Sequence, residues 1–286
     1  GKLVKLRGLN RHQSYPYAGY AMPKSVQERD AEILKRELGA NIVRTSHYMQ
    51  SKHFLNRCDE IGLLVFEEIP GWQYIGGPAF KQNTLNNVKA MITRDYNHPS
   101  VIMWGVRINE SPDDAELYRA TSELARELDP LRPLGGVRNF PGSEMFEDVY
   151  TFNDFTHAGG KTAIQNPNRV KKKVPYLITE HNGHMFPAKR YDAEPHRVEH
   201  ALRHYRVLKA AFSRKRVAGA IGWCMCDYNT HHEFGSGDQV CYHGVLDMFR
   251  IPKYAAYVYA ALQDEKPVME VLGTMNYGDY PASFIE

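Results

Sequence analysis

The segment Met103-Trp104-Gly105-Val106-Arg107-Ile108-Asn109-Glu110-Ser111 and the segment Pro175-Tyr176-Leu177-Ile178-Thr179-Glu180-His181 have the same layout. Each is a mostly apolar run of strand length that ends abruptly in a carboxylate. In a parallel α/β barrel, catalytic groups lie at the carboxyl ends of buried strands. Two strands that end in Glu110 and Glu180 therefore predict a pair of carboxylates facing one pocket. Such a pair is the minimum that enzymatic cleavage of a glycosidic bond requires.

Similar apolar runs recur along the chain and alternate with helical segments. Eight strands are predicted, at residues 4–9, 41–45, 63–67, 101–108, 134–137, 148–152, 176–179 and 218–223. Near-continuous apolar character is expected of strands covered on both faces, and alternation with helices favours a parallel sheet. Eight such units in a chain of this length predict an α/β fold, the (β/α)8 TIM barrel. No G-x-G-x-x-G motif follows the first strand, which argues against a dinucleotide-binding fold.

The connecting helices are predicted from apolar periodicity and from their end signals. Ser25 and Glu28 form a capping-box pattern, which predicts a helix that begins after Ser25 and ends at Gly39. Further helices are predicted at residues 54–61, 85–96, 114–128, 198–212 and 254–262. In the helix at 198–212, the side chains expected to face the core are Leu202, Tyr205, Leu208 and Phe212.

The bulk composition argues against several classes of protein. The 286 residues include 36 basic and 33 acidic side chains, a net charge of +3, so no nucleic-acid partner is predicted. No apolar stretch approaches the ~20 residues that a membrane span needs, so no membrane partner is predicted. Four cysteines in a chain of this length do not make a disulfide framework. The cellular compartment is not readable from the sequence.

Polar or aromatic side chains follow nearly every predicted strand, and a barrel gathers these strand ends at one face. They are Asn10 to His12, Ser46 to Tyr48, Glu67 and Glu68, Asn109 and Glu110, Arg138 and Asn139, Asn153 and Asp154, Glu180 and His181, and Trp223 with Asp227. Burying so many polar groups costs several kcal/mol each unless all are paired. Sugars offer hydroxyl groups that form hydrogen bonds and an apolar face that stacks on aromatic rings. This ring of polar and aromatic side chains at the strand ends therefore predicts a carbohydrate substrate.

Individual members of this ring also have structural interpretations. Glu67 and Glu68 directly follow an apolar run, and one of them is expected to contact Arg44 or Arg7 purely structurally. The two leading carboxylates could likewise serve as helix caps or ion pairs, the histidines as scaffold residues, and Trp223 as barrel core. The functional interpretation rests on the shared position of these residues and not on any one of them.

A metal site is an alternative chemistry near the last strand. Its ligands would be Cys224, Cys226, His231 and His232. Zinc sites usually space their cysteines as C-x2–4-C, so a lone C-x-C is a weak signal and no metal is predicted. A serine hydrolase is not expected either, because the chain lacks a G-x-S-x-G elbow.

Five ordered motifs between residues 3 and 265 carry a family resemblance. They are Leu6-Arg7-Gly8-Leu9-Asn10-Arg11-His12, Asn41-Ile42-Val43-Arg44-Thr45-Ser46-His47-Tyr48, Arg94-Asp95-Tyr96-Asn97-His98-Pro99-Ser100-Val101-Ile102-Met103-Trp104, Asn109-Glu110-Ser111, and Thr179-Glu180. In content and order they resemble the catalytic barrel of glycoside hydrolase family 2, which includes β-galactosidases, β-glucuronidases and β-mannosidases.

The resemblance implies a retaining mechanism in which Glu110 is the general acid/base and Glu180 is the nucleophile. The substrate-binding residues that it implies are Asn109, His12, Arg44, His47 and Trp223. Arg44 would keep Glu180 ionised, because a guanidinium favours the charged form of a carboxyl group. A retaining enzyme places its two carboxyl groups about 5–5.5 Å apart, and Glu110 is expected to titrate above Glu180 because it must carry a proton.

The sequence departs from the family pattern in three places. Residues 68–72 replace the metal-ligand segment of some β-galactosidases, so neither a catalytic magnesium nor any other cofactor is predicted. Gly183 stands where those enzymes have a histidine, with His181 and His184 on either side. Residues 150–155 supply no obvious equivalent of the family's tyrosine near the nucleophile. These departures leave the particular sugar open.

The domain organisation predicted is a catalytic barrel over residues 1–265, followed by a strand and linker over residues 266–286. The second segment resembles the start of the β-sandwich that follows the barrel in this family. We therefore expect the chain to be an excised part of a longer protein with flanking β-sandwich domains, and a homo-oligomer is compatible with the sequence.

The function predicted is retaining hydrolysis of terminal β-glycosides, β-galactosides first of all, through a covalent glycosyl-enzyme. A β-glucuronidase or β-mannosidase of the same family is an alternative. A second alternative is a barrel that acts as a carbohydrate-binding or structural module, with little turnover without its partner domains. A metal-dependent hydrolase that uses the cysteines and histidines named above is a third.

Overall fold

The computed structural model describes residues 3–157, 163–170, 172–230 and 237–273, and it confirms the predicted barrel. The eight parallel strands are β1 (Leu6–Arg11), β2 (Ile42–Thr45), β3 (Leu64–Glu68), β4 (Val101–Gly105), β5 (Leu134–Gly135), β6 (Tyr150–Asn153), β7 (Tyr176–Glu180) and β8 (Val217–Gly222). Hydrogen bonds join them in the order β5-β4-β3-β2-β1-β8-β7-β6. Parallel bridges from Gly135 to Val149 and from Arg138 to Phe152 connect the two ends and close the ring.

Helices cover the outside of the ring. Those in the described ranges are α1 (Lys24–Glu32), α2 (Lys52–Ile61), α3 (Pro78–Asp95), α4 (Ala115–Leu128), α5 (Glu194–Phe212) and α6 (Tyr254–Ala261). Helices α3 and α5 begin earlier than predicted, each with a proline in its first turn, where the missing N–H costs nothing. In their described parts, the crossovers after β5 and β6 are mostly irregular and contain one short turn of 3-10 helix, at Pro167–Arg169.

The capping box predicted at Ser25 is wrong. The helix begins one residue earlier, at Lys24, and the residue before it, Pro23, provides no side-chain cap. The carbonyl of Pro23 accepts from the amides of Val26 and Gln27 instead. Ser25 therefore lies inside the first turn, where it cannot act as the N-cap.

The apolar core has two layers. The inner layer fills the barrel and consists of Ile42, Phe66, Met103, Val137, Leu177 and Ile221. The outer layer is larger and packs the opposite faces of the strands against the helices. This arrangement follows from the period-2 alternation of side chains along each strand. The inner layer supports the polar side chains at the carboxyl ends of the strands.

The buried face of α5 differs from the predicted one. Leu202 and Tyr205, expected to face inward, are 40% and 39% exposed, whereas His200 and His204 are buried. Helix α5 packs against α6, and the ring of His204 hydrogen-bonds the Tyr259 hydroxyl at 3.0 Å. Leu208 is fully buried as predicted, so the apolar pattern misplaced only part of this face. It did so because a polar partner on the neighbouring helix makes histidine acceptable in the core.

The segment after α6 also differs from its prediction. Residues 267–272, predicted as a strand, adopt no regular secondary structure. Within the described ranges, no helix is both long enough and apolar enough to cross a bilayer.

Candidate active site

Arg44, on β2, is fully buried and organises the floor of a pocket at the carboxyl ends of the strands. Its Nη1 donates to Oε1 of Glu180 at 2.7 Å and to Oδ1 of Asn10 at 2.9 Å. Its Nη2 donates to Oδ1 of Asn109 at 2.8 Å. Its Nε and Nη2 also pair with the two oxygens of Glu68, each at 2.9 Å. One guanidinium thus orients two carboxylates and two amides, which its rigid set of five donors allows.

Glu68 reaches Arg44 because Gly105, on the neighbouring strand β4, has no side chain. A Cβ at Gly105 would lie 2.3 Å from Cβ of Glu68. Burial alone would raise the pKa of Glu68, but Arg44 and His47 outweigh it and hold the pKa below its ordinary value. The predicted contact between Arg44 and one of the two glutamates is therefore confirmed for Glu68, and it lies within the pocket floor.

Glu180 ends strand β7 as predicted and is 5% exposed. Burial raises the pKa of Glu180 to about 8; the charge of Arg44 opposes this shift and the charge of Glu110 adds to it. The sequence predicted that Arg44 keeps Glu180 ionised. The pair is present, but the cost of burying the carboxylate outweighs it.

Glu110 lies five residues beyond the end of β4, on a left-handed backbone with φ of 54°. Three neutral N–H groups hold its carboxyl group. Nδ2 of Asn153 donates to Oε1 at 2.9 Å, while Nε1 of Trp72 and Nε2 of Gln73 approach Oε2 at 3.3 and 3.1 Å. No lysine or arginine is among these partners.

A continuous chain of hydrogen bonds connects the two carboxyl groups. It runs from Glu180 to Arg44, then to Oδ1 of Asn109, which also accepts from Nδ2 of Asn153 at 3.3 Å, and then to Glu110. The amide of Asn153 is itself fixed, because the Thr179 hydroxyl donates to its Oδ1 at 2.9 Å. A chain of buried side chains therefore connects the two carboxyl groups and helps to fix their relative placement.

An aromatic wall borders the carboxyl groups. The ring of Trp223 stacks on that of His47 with centroids 5.2 Å apart and meets the edge of His12 at 5.3 Å. His12 also packs against Tyr228 at 4.4 Å. The pocket has a volume of about 860 Å³, and the side chains that line it include His12, His47, Glu110, Glu180, Trp223, Trp72, Gln73, Tyr48, Tyr228 and His184. A sugar ring fits a space of this size and polarity.

The structure brings all seven predicted site residues together. Five of them line the pocket, and Arg44 and Asn109 lie directly behind it. Sequence reasoning missed Asn153, Trp72 and Gln73 as partners of Glu110. Asn153 was predicted at a strand end but was given no role beside Glu110, whereas residues 72 and 73 lie in a loop and carried no signal.

The alternative metal site receives no support from the described residues. No group of three or more histidine, cysteine or acidic side chains is placed to hold a metal ion there. The Cys224 thiol contacts the carbonyl of Cys226 at 3.2 Å, and burial raises the pKa of both thiols. His231 and His232 lie outside the described residues.

Comparison with known proteins agrees with this geometry. The model of the glycosyl hydrolases family 2, TIM barrel domain, matches residues 1–265. The chain belongs to this family. A β-galactosidase from Thermoanaerobacterium thermosulfurigenes is 60% identical over 275 residues, which cover 94% of this chain and 38% of the relative. One from Thermoanaerobacter pseudethanolicus is 55% identical over 92% of this chain and 35% of its own length. This family 2 barrel thus spans less than two-fifths of these relatives.

Solved structures of the family share the fold. A family 2 β-galacturonidase from Eisenbergiella tayi, bound to galacturonate, superimposes with a TM-score of 0.80 at 27% identity, over 93% of this chain and 52% of that one. A β-glucuronidase from Parabacteroides merdae gives a TM-score of 0.78 at 27% identity, over 94% and 38%. Members with different sugar specificities therefore share this barrel.

Proposed function

We propose that the chain is the catalytic barrel of a retaining exo-β-galactosidase. The observation that carries the proposal is a pair of carboxyl groups in one pocket, one beside a buried arginine and the other held by neutral donors. Glycoside hydrolysis with retention needs two such carboxyl groups in different roles. The similarity to two β-galactosidases, at 60% and 55% identity, supports the choice of sugar.

In the first step, Oε2 of Glu180 attacks the anomeric carbon, while Arg44 holds Oε1. The electron pair of the breaking glycosidic bond goes to the leaving oxygen, which takes a proton from Glu110. The products are a glycosyl ester of Glu180 and a free alcohol. The proton that burial favours on Glu180 must leave before attack, and the nearby cation Arg44 stabilises the resulting charge.

In the second step, a water molecule attacks the same carbon and gives a proton to Glu110, now acting as a base. The electron pair of the ester bond returns to Glu180, and the sugar leaves with its original configuration. Asn109 is suited to hold a sugar hydroxyl near this carbon. Its Oδ1 is occupied by Arg44, and its buried Nδ2 has no partner among the described protein groups. The Trp223 indole offers the apolar surface on which the sugar ring stacks.

The charge of the pocket favours a neutral sugar over a uronic acid. Among the described residues that line it, none is lysine or arginine, and two are glutamates. Burial lowers the pKa of His12, His47, His184 and His243, so these rings are neutral near pH 7. A sugar carboxylate would meet two acids without a matching cation, which is costly in a partly buried site. We therefore propose β-galactosides rather than β-glucuronides as the substrate. The nitrophenyl glycoside assay below tests β-mannosides, which differ in configuration at carbon 2.

We further propose that β-sandwich domains flank the barrel in a longer protein, with the barrel ending near residue 265. The chain covers only 38% of its relative from T. thermosulfurigenes, which supports this division. If those domains complete the pocket, the barrel alone binds sugar and turns over slowly. A homo-oligomer is a further expectation for the longer protein.

The experiment is a panel of nitrophenyl β-glycosides with galactose, glucuronic acid and mannose, tested on the chain and on any longer natural protein that contains it. The variants are Glu110→Ala and Glu180→Ala, with Glu116→Ala, an exposed residue on α4, as the matched control. Each of the first two substitutions should lower the rate by several orders of magnitude, and the control should not. Azide should rescue Glu180→Ala and give a glycosyl azide of inverted configuration.

Three outcomes would overturn parts of this proposal. Unchanged activity in both variants would remove the two carboxyl groups from the mechanism. Faster turnover of the glucuronide than of the galactoside would contradict the charge argument. Sugar binding without turnover, in the chain and in the longer protein alike, would favour the binding module.

A further inference from the structure

The loop that follows β3 is tied closely to the segment that carries Glu110. Trp72 pairs with Asn109 in a parallel bridge, and the amide of Gln73 donates to the Asn109 carbonyl at 2.8 Å. Gly71 makes this approach feasible: its φ is 134°, and a Cβ there would lie 3.0 Å from Cγ2 of Ile108. The loop is therefore anchored through its backbone, independently of the side chains that it carries.

Both side chains at the tip of this loop approach one oxygen of Glu110. Nε1 of Trp72 lies 3.3 Å and Nε2 of Gln73 lies 3.1 Å from Oε2, while Asn153 occupies Oε1. Gln73 and Glu110 both adopt left-handed backbone, with φ of 58° and 54°. Such conformations cost about 1–3 kcal/mol each and persist where the surroundings impose them. The strained backbone at both residues aims their side chains at each other.

The two donors differ in what they can do when the carboxyl group changes its protonation state. An indole N–H can only donate, so it favours the carboxylate. A primary amide can donate through its NH₂ group to a carboxylate, or turn and accept a proton from a carboxylic acid through its oxygen. Only a partner of the second kind can accept the proton of the acid before the substrate binds and donate to the carboxylate after that proton has gone to the leaving oxygen.

We infer that Gln73 and Trp72 are positioning residues for the acid/base carboxyl group, with Gln73 bonded to Oε2 in both of its protonation states and Trp72 favouring the charged one. The inference rests on the proposed function, in which the proton of Glu110 goes to the leaving oxygen as the glycosidic bond breaks. Both residues act through Glu110, and neither needs to touch the reacting carbon.

Leaving-group dependence distinguishes this role from a merely structural one. An alkyl β-galactoside needs protonation of its leaving oxygen, whereas a dinitrophenyl β-galactoside does not. Gln73→Met keeps the length of the side chain and removes the amide. It should lower kcat/KM for the alkyl substrate about tenfold or more, because positioned general acids contribute about 10²–10⁴ in rate. It should change the rate of the glycosylation step with the dinitrophenyl substrate less than about threefold, because that leaving group needs no proton. The same change at the exposed Gln82 on α3, Gln82→Met, is the matched control and should affect neither.

The pH profile tests Trp72. Trp72→Phe removes a donor that favours the carboxylate and keeps an aromatic ring. With the alkyl substrate, the alkaline limb of kcat/KM should therefore move to higher pH, because the acid form persists further. Gln82→Met should leave that limb in place.

A measurement without turnover separates this inference from the proposed function. The chain has three tryptophans, at positions 72, 104 and 223, so three indole N–H signals are expected by NMR, and the signal lost in Trp72→Phe is that of Trp72. Its chemical shift should move with pH, and Glu110→Gln should abolish that movement. A titrating Trp72 signal in a protein that hydrolyses no β-glycoside would refute the proposed function and leave the coupling intact.

The inference is overturned if Gln73→Met lowers kcat/KM for alkyl and dinitrophenyl galactosides by the same factor, which indicates a structural role. It is also overturned if Gln73→Met has no effect on either substrate. A Trp72 indole signal that does not respond to pH, or that still titrates in Glu110→Gln, contradicts the hydrogen bond on which the inference depends.

Discussion

The two carboxyl groups of the pocket are held by opposite means. Glu180 is buried beside the cation Arg44, whereas Glu110 is partly exposed and held by neutral donors from Asn153 and from residues 72–73. A fixed cation stabilises one charged form, as a nucleophile requires. Neutral donors favour the charged form less strongly than a cation does, which suits a group that must both give and take a proton. The two carboxyl groups therefore differ both in burial and in the type of partner.

The largest effect is expected from removing the cation. Arg44→Met leaves Glu68 and Glu180 buried without their partner, so the free energy of unfolding should fall by about 3–5 kcal/mol. The loss of a fixed charge beside the nucleophile should lower kcat/KM about a hundredfold or more. Chemical denaturation and galactoside kinetics measure the two effects. Arg44→Lys is the conservative comparison and should recover part of the stability but not the two-pronged contact with Glu68. Full activity in Arg44→Met would mean that the cation has no role at Glu180.

A smaller loss of activity is expected when one of the neutral donors to Glu110 is removed. Asn153→Ala removes one hydrogen bond to Glu110 and one from Thr179. Each such bond is worth about 1 kcal/mol, so kcat/KM for an alkyl galactoside should fall about tenfold. Steady-state kinetics at several pH values provide the test. If Asn153→Ala lowered kcat/KM as much as Arg44→Met, the partners of Glu110 and Glu180 would not differ in importance as proposed.

The pH dependence of stability separates the two carboxyl groups further. Because the folded-state pKa of Glu180 is about 8, against 4.5 for an exposed glutamate, the folded state binds more protons than the unfolded state between these values. The stability that Glu180 contributes is therefore fully present below about pH 4.5 and is lost as the pH rises to about 8. Glu180→Gln removes this loss, and its Tm should exceed that of the parent by a few degrees at pH 9 and match it at pH 4.

Thermal melts across that pH range, with Glu116→Gln as the exposed control, provide the measurement. Equal Tm differences at pH 4 and pH 9 would indicate that Glu180 carries no raised pKa. The gain in stability would accompany a loss of activity, as is common where a site is built for function.

The smallest effect on activity is expected at Glu67, the neighbour of Glu68 on the opposite face of β3. Burial and the charge of Asp95 raise the pKa of Glu67 well above its ordinary value, which favours its protonated form. Glu67→Gln keeps a hydrogen-bond donor toward Asp95 and should leave galactosidase activity within about twofold. Glu68→Gln, one residue along, loses its charge beside Arg44 and should lower activity. Similar losses of activity in Glu67→Gln and Glu68→Gln would contradict the view that only the face of β3 carrying Glu68 serves the active site.

Much of the site could be predicted because it depends on local pattern. An apolar run that ends in Glu110 or Glu180 indicates a strand end, and barrel topology brings such ends together. Helix α5 shows where pattern fails, since Leu202 is exposed and His204 is buried against Tyr259. Periodicity measures hydrophobicity but does not register a polar partner on another helix.

The sequence by itself determined the eight strands, the barrel and the two carboxylates at its carboxyl face, because strand length, apolar content and the residue at each strand end are local properties. Only the tertiary structure decided what surrounds each carboxylate. Arg44 reaches Glu180 across the barrel, Gly105 makes room for Glu68, and a loop distant in sequence brings Gln73 to Glu110. These contacts join segments far apart along the chain, and their electrostatic effect depends on distance and burial, which the linear sequence does not contain.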